Sequence, residues 1–283
     1  MILIDFSQIM IANLSIALKG QMEVQLDINR LRSMVLFSLR NYRQKFKADY
    51  GDDFVICCDS RTKSWRHEVF PYYKIRRARS KDKSSLDWPA INRMFDQIIT
   101  EIQETFPYKT LRVNRCEADD IIAVMARYAS EPVIIVSCDR DFYQLLVDNP
   151  NISMYNHIDK RKVNRKTIPD TFLKEKIIRG DSGDDIPNIL TQDDAYAISK
   201  RSKALTQKKL DELLPTPINS WDPELRDRYS RNETLIDLGR TPDDLRSEII
   251  ETYNNGSVKG RSRIYSYLIK HRLTELANSI QDF

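Results

Sequence analysis

The sequence is poor in the residues that build zinc and disulfide sites, with only three histidines and four cysteines among 283 residues. The cysteines show no Cys-x-x-Cys spacing and none pairs with a histidine, which argues against zinc and favours reduced thiols in a cytosolic protein. No apolar run reaches the length of a membrane span, and Asp5 interrupts the only one near the N-terminus. Neither a membrane helix nor a signal peptide is therefore expected.

Charge is unevenly distributed along the chain. The formal net charge is +4, yet residues 61–83 hold nine Lys/Arg against two acids, a local balance of +7 that leaves −3 for the remainder. A basic segment on an acidic body suits a phosphate-bearing polymer better than a small anion.

Three short apolar runs each lead into an aspartate. They are residues 2–4 into Asp5, residues 54–58 into Asp59, and residues 133–136, through a Ser-Cys pair, into Asp139. Continuous apolar runs of this length are typical of strands buried on both faces. Because ligands bind outside the carboxyl ends of strands in open α/β sheets, the pattern predicts three carboxylates at one sheet edge.

Further acids follow these strands. Glu117, Asp119 and Asp120 open an amphipathic stretch, Asp141 follows the third strand, and residues 180–185 contain three acids and two glycines. An acidic helix start or a turn residue would explain any one of these motifs alone. Together they would repel one another, and a divalent metal relieves such repulsion. Oxygen ligands without histidine favour magnesium.

The remaining pattern predicts the architecture. Apolar residues at helical spacing predict helices over residues 28–46 and 88–105, and strands alternating with helices favour a largely parallel sheet. From about residue 170 the pattern is helical, and Thr241-Pro242-Asp243-Asp244 resembles a capping box that opens a helix to Tyr253. We therefore predict an α/β core over residues 1–170 and a helical part over residues 171–283.

The acidic motifs resemble those of the 5′ nuclease (flap endonuclease) superfamily, and within it the members of T-even bacteriophages. The resemblance rests on Ile-Asp-Phe at 4–6, Cys-Asp-Ser at 58–60, Glu-Ala-Asp-Asp at 117–120, Ser-Cys-Asp-Arg-Asp at 137–141 and Gly-Asp-Ser-Gly-Asp-Asp at 180–185. It covers almost the whole chain. It implies a PIN-like α/β core with a largely parallel central sheet flanked by helices.

The resemblance also implies a metal site and a basic arch at about residues 61–83. Two Mg²⁺ ions, replaceable by Mn²⁺, would be held by the acids Asp5, Asp59, Glu117, Asp119, Asp120, Asp139, Asp141, Asp181 and Asp184. Asp185 stands where the superfamily usually has Asn. Arg66 and Lys74 of the arch would contact the scissile phosphate. Nucleic acid would also contact the arch residues Trp65, Tyr72, Tyr73, Arg76, Arg77 and Arg79.

One superfamily feature is altered after residue 185. Members carry a glycine-rich helix–turn–helix that grips duplex phosphates and a K⁺ ion through backbone groups, and residues 186–194 lack those glycines. The resemblance therefore implies a divergent helix–turn–helix without a K⁺ ion. Either the side chains of Lys200, Arg201 and Lys203 take over the phosphate contacts, or this stretch is only a solvated loop.

The function implied is a magnesium-dependent 5′-to-3′ exonuclease and flap endonuclease with RNase H activity, removing RNA primers in phage DNA replication. Its substrates would be DNA and RNA–DNA hybrids with 5′ ends or flaps, and its candidate protein partners a single-strand-binding protein or a sliding clamp. It would act as a monomer in the cytoplasm of the infected bacterial host, without a membrane. The alternatives are a PIN-type ribonuclease and a non-catalytic DNA-structure binder or replication adaptor.

Overall fold

The computed structural model describes residues 1–19, 26–256 and 258–283. At its centre is a six-stranded sheet in the order β3-β2-β1-β4-β5-β6. The strands are β1 Ile2–Asp5, β2 Phe54–Cys57, β3 Lys109–Leu111, β4 Val133–Val136, β5 Ile152–Asn156 and β6 Arg161–Lys162. Every neighbouring pair is parallel except β5 and β6. The predicted α/β class with a largely parallel sheet is confirmed.

Thirteen α-helices in the described part of the chain flank this sheet. They are α1 Phe6–Leu18, α2 Ile28–Tyr50, α3 Arg66–Val69, α4 Ile75–Asp82, α5 Trp88–Thr105, α6 Ala118–Tyr128, α7 Tyr143–Asp148, α8 Phe172–Arg179, α9 Gln207–Leu213, α10 Pro223–Ile236, α11 Asp243–Asn255, α12 Ile264–Lys270 and α13 Thr274–Ala277. None of the helices in the described ranges is long and apolar enough to cross a membrane.

The three strands that precede the aspartates are adjacent in the sheet. All residues of β1, β2 and β4 are buried, as their continuous apolar sequences predict. Ile4 of β1 pairs with Ile56 on one side and with Val136 on the other. Because these strands are parallel and in register, the residues that follow them meet at one edge of the sheet.

The other three strands have no continuous apolar run from which the sequence could predict them. β3 has three residues of which only Leu111 is fully buried, β5 alternates apolar and polar residues, and β6 has two exposed residues. Each pairs at or towards the margin of the sheet, where a strand needs less apolar surface. In the described residues after 170, the only β pairing is an isolated bridge between Asp181 and Ile186.

The predicted helices form, with one wrong detail. α5 covers the predicted residues 88–105, and the side chain of Asp87 accepts a hydrogen bond from the Ala90 amide at 2.8 Å, as a cap should. α2 continues four residues beyond the predicted end. The prediction of a capping box at α11 is wrong. The Thr241 hydroxyl donates to the buried carboxylate of Asp120 at 3.2 Å and does not cap the helix.

Helices from residues 171–283 contribute to each of the three hydrophobic clusters found among the described residues. Ile264 and Phe283 pack with α2 and α5 on one face of the sheet, and Leu245 packs with α6 on the other. A third cluster joins α8, α9 and α10 to Phe70 and Tyr73 at the base of the basic segment. The C-terminal part therefore braces the sheet and the base of the arch.

Candidate metal centre and nucleic-acid cleft

A cleft of about 450 Å³ opens at the carboxyl edge of β1, β2 and β4. The sheet edge forms its floor, α1 and α5 flank it, and α4 carries Arg77 and Lys81 over it. Six predicted metal-binding acids line it, namely Asp5, Asp59, Glu117, Asp119, Asp139 and Asp184. The fold therefore gathers carboxylates that lie up to 179 positions apart in the sequence, as the pattern of strand-ending aspartates predicts.

The acids at the strand ends are buried close to one another. Burial and the neighbouring charges of Asp59 and Asp139 together raise the pKa of Asp5 to about 7, against a hydrogen bond from Ser137 that lowers it. Burial also raises the pKa of Asp119 well above its usual value, and Asp139 and Asp5 add to that effect. Carboxylates buried this close to one another favour their protonated forms unless further positive charge binds among them.

Hydrogen bonds fix the orientation of these carboxylates. The Ser137 hydroxyl donates to Asp5 at 2.7 Å, and its oxygen accepts from the Asp139 amide at 3.0 Å, so one side chain joins two of the acids. Asp59 accepts from the Ala118 amide at 2.8 Å and from the Ser7 hydroxyl at 2.6 Å. Each of these carboxylates lines the cleft and has more acceptor sites than the hydrogen bonds named here use.

Glu117 and Asp184 face the basic segment on the opposite wall. The Lys74 ammonium contacts Glu117 and lies 3.6 Å from Asp184, and the Tyr73 hydroxyl lies 2.7 Å from Glu117 and 3.0 Å from Asp184. Burial alone would raise the pKa of Glu117, yet Lys74 and Arg66 outweigh it and lower that pKa to about 2. Lys74 therefore lies in the cleft where the sequence predicts it.

The donors of the cleft fit a hard divalent cation. Six carboxylates and no histidine line it, which is the oxygen-only ligand set that Mg²⁺ and Mn²⁺ accept. Within the described ranges, no three acidic, histidine or cysteine side chains converge tightly enough to hold an ion as they stand. Lys74 and Arg77 partly neutralise the acids instead, the latter at 2.9 Å from Asp184.

Asp141 and Asp181 lie beside the cleft and share a lysine. Lys176 of α8 contacts Asp141 and lies 3.0 Å from Asp181. Burial raises the pKa of Asp141 to about 7 despite the lysine, whereas Lys176 lowers that of Asp181 against the effect of burial. The sequence analysis missed Lys176, whose only signal is its place five residues before Asp181.

The structure contradicts the predicted cleft positions of Asp120, Arg66 and Trp65. Asp120 is fully buried and lies 2.9 Å from the Arg66 guanidinium, which is itself 3% exposed. The Trp65 indole donates to Asp120 at 3.3 Å, and Arg66 donates to the Leu235 carbonyl at 2.9 Å. These side chains form a buried network behind the cleft wall, so they cannot contact metal, phosphate or bases there.

Aromatic residues line the cleft at positions other than those predicted. Tyr73 is 3% exposed and its hydroxyl is held by acids, so the prediction that it stacks with bases is wrong, and Tyr72 packs edge-on against Phe70 at 5.5 Å. Trp88 and Phe95 of α5 line the cleft instead. Helical spacing assigns both to a core-facing stripe, which is why the sequence analysis missed them.

Residues 75–82 of the basic segment form α4, in which no residue is fully buried. Arg77 reaches Asp184, and Lys81 lies 4.9 Å from the Trp88 ring. Arg76 and Arg79 turn away from the cleft towards residues 182–197, where Arg79 donates to the Ala197 carbonyl at 3.0 Å. Arg77 and Lys81 are thus the arch cations that line the cleft together with Lys74.

The predicted helix–turn–helix is wrong in this structure. Turns and extended chain occupy residues 187–206, and the next helix begins only at Gln207. Lys200, Arg201 and Lys203 are exposed on this segment. The Lys203 amide donates to Thr191 at 2.8 Å, so the backbone is fixed while the charged side chain is accessible.

Comparison with known proteins extends over the whole chain. The family described as "5′-3′ exonuclease, N-terminal resolvase-like domain" matches residues 24–176, and the one described as "T4 RNase H, C terminal" matches residues 168–283. Ribonuclease H of Enterobacteria phage T4 is 28% identical over 99% of this chain and 95% of its own length. A flap endonuclease Xni of Psychromonas ingrahamii is 34% identical over 40% of this chain and 41% of its own length.

Solved structures share the fold at low sequence identity. A bacteriophage T5 5′-exonuclease with bound zinc aligns with a TM-score of 0.62 at 16% identity, over 90% of this chain and 98% of its own. A T5 flap endonuclease complex with DNA and metal ions aligns with a TM-score of 0.58 at 18% identity, over 90% and 99%.

Proposed function

This chain belongs to the family of 5′-3′ exonucleases with an N-terminal resolvase-like domain, nucleases that hydrolyse phosphodiester bonds, and we propose on that premise that it is a magnesium-dependent, structure-specific 5′ nuclease. The superfamily resemblance predicted from the acidic motifs is confirmed. The proposed substrates are DNA and RNA–DNA hybrids with 5′ ends or flaps, and the proposed role is removal of RNA primers in phage DNA replication. The relatives named Ribonuclease H and flap endonuclease support this choice.

One observation carries the proposal: six carboxylates and the basic side chains of a helical arch line the same cleft. The acids that would hold two Mg²⁺, or Mn²⁺ in their place, are Asp5, Asp59, Glu117, Asp119, Asp139 and Asp184. When bound, such ions supply a hydroxide-like nucleophile and neutralise charge on the phosphate oxygens. Asp141 and Asp181 would act from beside the site through Lys176.

The protein's own side chains would bind and orient the nucleic acid. Lys74, held by acids on the cleft wall, would place a positive charge beside the scissile phosphate, where negative charge grows during cleavage. Arg77 and Lys81 would attract the strand, and the rings of Trp88 and Phe95 would stack with unpaired bases.

The cleft also offers a path for a single strand beneath α4. A second cavity of about 450 Å³ shares Asp59, Lys81 and Phe95 with the first, so the space continues past the acids between α4 and α5. A 5′ strand following this path would bring its phosphates past Lys74 and then Lys81. We propose that the exposed side chains of Lys200, Arg201 and Lys203 contact the duplex.

The wider setting follows from the same family. We propose that the protein acts as a monomer in the cytoplasm of an infected bacterial host, with a single-strand-binding protein or sliding clamp as partner. The relation to a phage T4 enzyme over 99% of the chain supports that setting.

The test is digestion of 5′-labelled nicked, flapped and RNA–DNA hybrid substrates with Mg²⁺ or with chelator. Asp139→Asn and Asp184→Asn, which keep shape and remove a charge, should still bind flaps while turnover collapses. Asp170→Asn is the matched control, because Asp170 lies far out on the surface with its side chain 88% exposed. Cleavage that persists in chelator would overturn the proposal.

The two alternatives give different outcomes in the same assay. A DNA-structure binder would retain flaps without cleaving them under any metal. A PIN-type ribonuclease would cut single-stranded RNA without requiring an adjoining duplex.

A further inference from the structure

The arch helix α4 lacks a cap from its own sequence. Its N-cap residue, Lys74, makes no side-chain cap hydrogen bond within the described structure and has a left-handed backbone with φ of 55°. A helix of eight residues, none of them buried and several of like charge, is far below the length at which isolated helices are stable in water. Something outside the helix must therefore hold it.

Asp185 provides the missing cap from a loop more than a hundred residues away. One of its carboxylate oxygens accepts the Arg76 backbone N–H at 2.7 Å, which is one of the free amides in the first turn of α4. The other oxygen accepts the Nε–H of the same arginine. An N-cap side chain makes the same bond in an ordinary helix, but here the bond joins two separate segments.

Further contacts make this joint specific. The Lys74 amide donates to the Asp184 carbonyl at 2.9 Å, and Arg76 donates to the Ser182 carbonyl at 2.6 Å. The Arg76 guanidinium also lies 4.0 Å from the Tyr196 ring centroid. The first turn of α4 is thus bound to residues 182–185 by backbone hydrogen bonds and an ion pair, and to Tyr196 by a cation–π contact.

The Asp185 side of this contact is buried and strained, while the Arg76 side chain is 45% exposed. Asp185 is 1% exposed and has φ of 60°, facing Lys74 with its own left-handed φ. Non-glycine residues in this conformation are strained and persist where surrounding contacts hold them. Asp185 does not line the metal cleft, so the proposed chemistry gives it no role there.

We propose that Asp185 is a positioning residue that caps α4 from a distant segment and so keeps the basic helix folded and docked over the cleft before nucleic acid binds. Its effect on cleavage depends on the proposed nuclease function, whereas its effect on α4 does not. The cap connects residues 181–185 to α4. Asp184 and Asp185 are consecutive in sequence, and they form ion pairs with Arg77 and Arg76 respectively.

The test measures amide hydrogen exchange of residues 75–82 in the full chain without nucleic acid or metal. Asp185→Ala should make these amides exchange at least about five-fold faster, since an N-cap typically contributes about 1 kcal/mol. Asp185→Asn keeps one acceptor for the Arg76 backbone N–H but loses the second oxygen, so α4 should exchange at a rate between those of wild type and Asp185→Ala. Arg76→Ala keeps the backbone N–H and should open α4 less than Asp185→Ala does.

Asp222→Ala is the matched control, because Asp222 caps α10 within its own segment and accepts the Leu225 amide at 3.1 Å. It should accelerate exchange in α10 and leave α4 unchanged. Wild-type exchange of α4 in Asp185→Ala would overturn the proposal, and so would equal acceleration of all helices in that variant. If Asp185→Ala does not fold, Asp185→Gly removes the same carboxylate and accepts the φ of 60°, and wild-type exchange of α4 in that variant overturns the proposal equally.

A second readout separates the cap from the nuclease function. Single-turnover cleavage of a 5′ flap by Asp185→Ala should slow, while affinity for plain duplex stays unchanged. Faster exchange in α4 with unchanged cleavage would support the cap and overturn its link to cleavage.

Discussion

The guanidinium of Arg66 lies 2.9 Å from the carboxylate of Asp120 in a part of the core that solvent does not reach. Arg66 also donates to the Leu235 carbonyl at 2.9 Å, which ties the base of the arch to α10. A pair buried in this way carries a large desolvation cost on both charges. We therefore assign Arg66 to the support of the site, and the predictions for Arg66 and Lys74 diverge.

Replacing Arg66 by methionine should lower the free energy of unfolding by about 3–5 kcal/mol, because it leaves the Asp120 charge buried without a partner. Urea denaturation monitored by circular dichroism measures the change. The double variant Arg66→Met with Asp120→Leu should recover much of this loss, because no uncompensated charge remains. Equal destabilisation in the single and double variants would contradict the buried-pair interpretation.

Replacing Lys74 by alanine should reduce the rate of cleavage itself. Lys74 lies between Glu117 and Asp184 in the cleft, and losing a donor to developing charge costs roughly 2–4 kcal/mol, or about 30- to 1000-fold in rate. Single-turnover rates at saturating enzyme measure this step without binding or product release. Arg79→Ala, whose side chain points away from the cleft, should raise the enzyme concentration needed for saturation and leave the maximal rate close to wild type.

Neutralising Asp119 should stabilise the metal-free protein. Burial and the charges of Asp139 and Asp5 raise the pKa of Asp119, so its ionised form is unfavourable in the folded state. Asp119→Asn should therefore raise the melting temperature in chelator and reduce the gain on adding Mg²⁺, since a ligand stabilises only the state that binds it. Asp170→Asn should melt like wild type in both conditions. A full Mg²⁺ response in Asp119→Asn would remove Asp119 from the metal site.

His157 should make stability fall in mild acid. Burial lowers its pKa below the ordinary value, and its Nε2 atom has no hydrogen-bond partner among the described residues. The unfolded chain then binds a proton at a pH where the folded protein does not, so stability is lost as pH falls from about 6.5 through the lower folded pKa. His157→Gln should show a smaller loss between pH 7 and pH 5 than wild type in chemical denaturation.

The sequence indicates the gathering of acids correctly because that feature depends on local rules. A strand covered on both faces requires a continuous apolar run, and parallel strands in register bring the residues after them to one edge. Asp5, Asp59 and Asp139 therefore meet in the structure as their positions predict. The helix over 88–105 is likewise predicted by its apolar spacing and its capping aspartate.

The partners of individual charged residues are decided by tertiary structure. Arg66 is 54 residues from Asp120 and 169 from Leu235, and Arg76 is 109 residues from Asp185. Whether such a side chain faces solvent, phosphate or a buried carboxylate depends on how α3, α4, α8 and α10 pack, and no local pattern encodes that. The sequence by itself determined the chemistry collected at the sheet edge. Only the packing of distant segments decided which cations line the cleft and which hold the wall behind it.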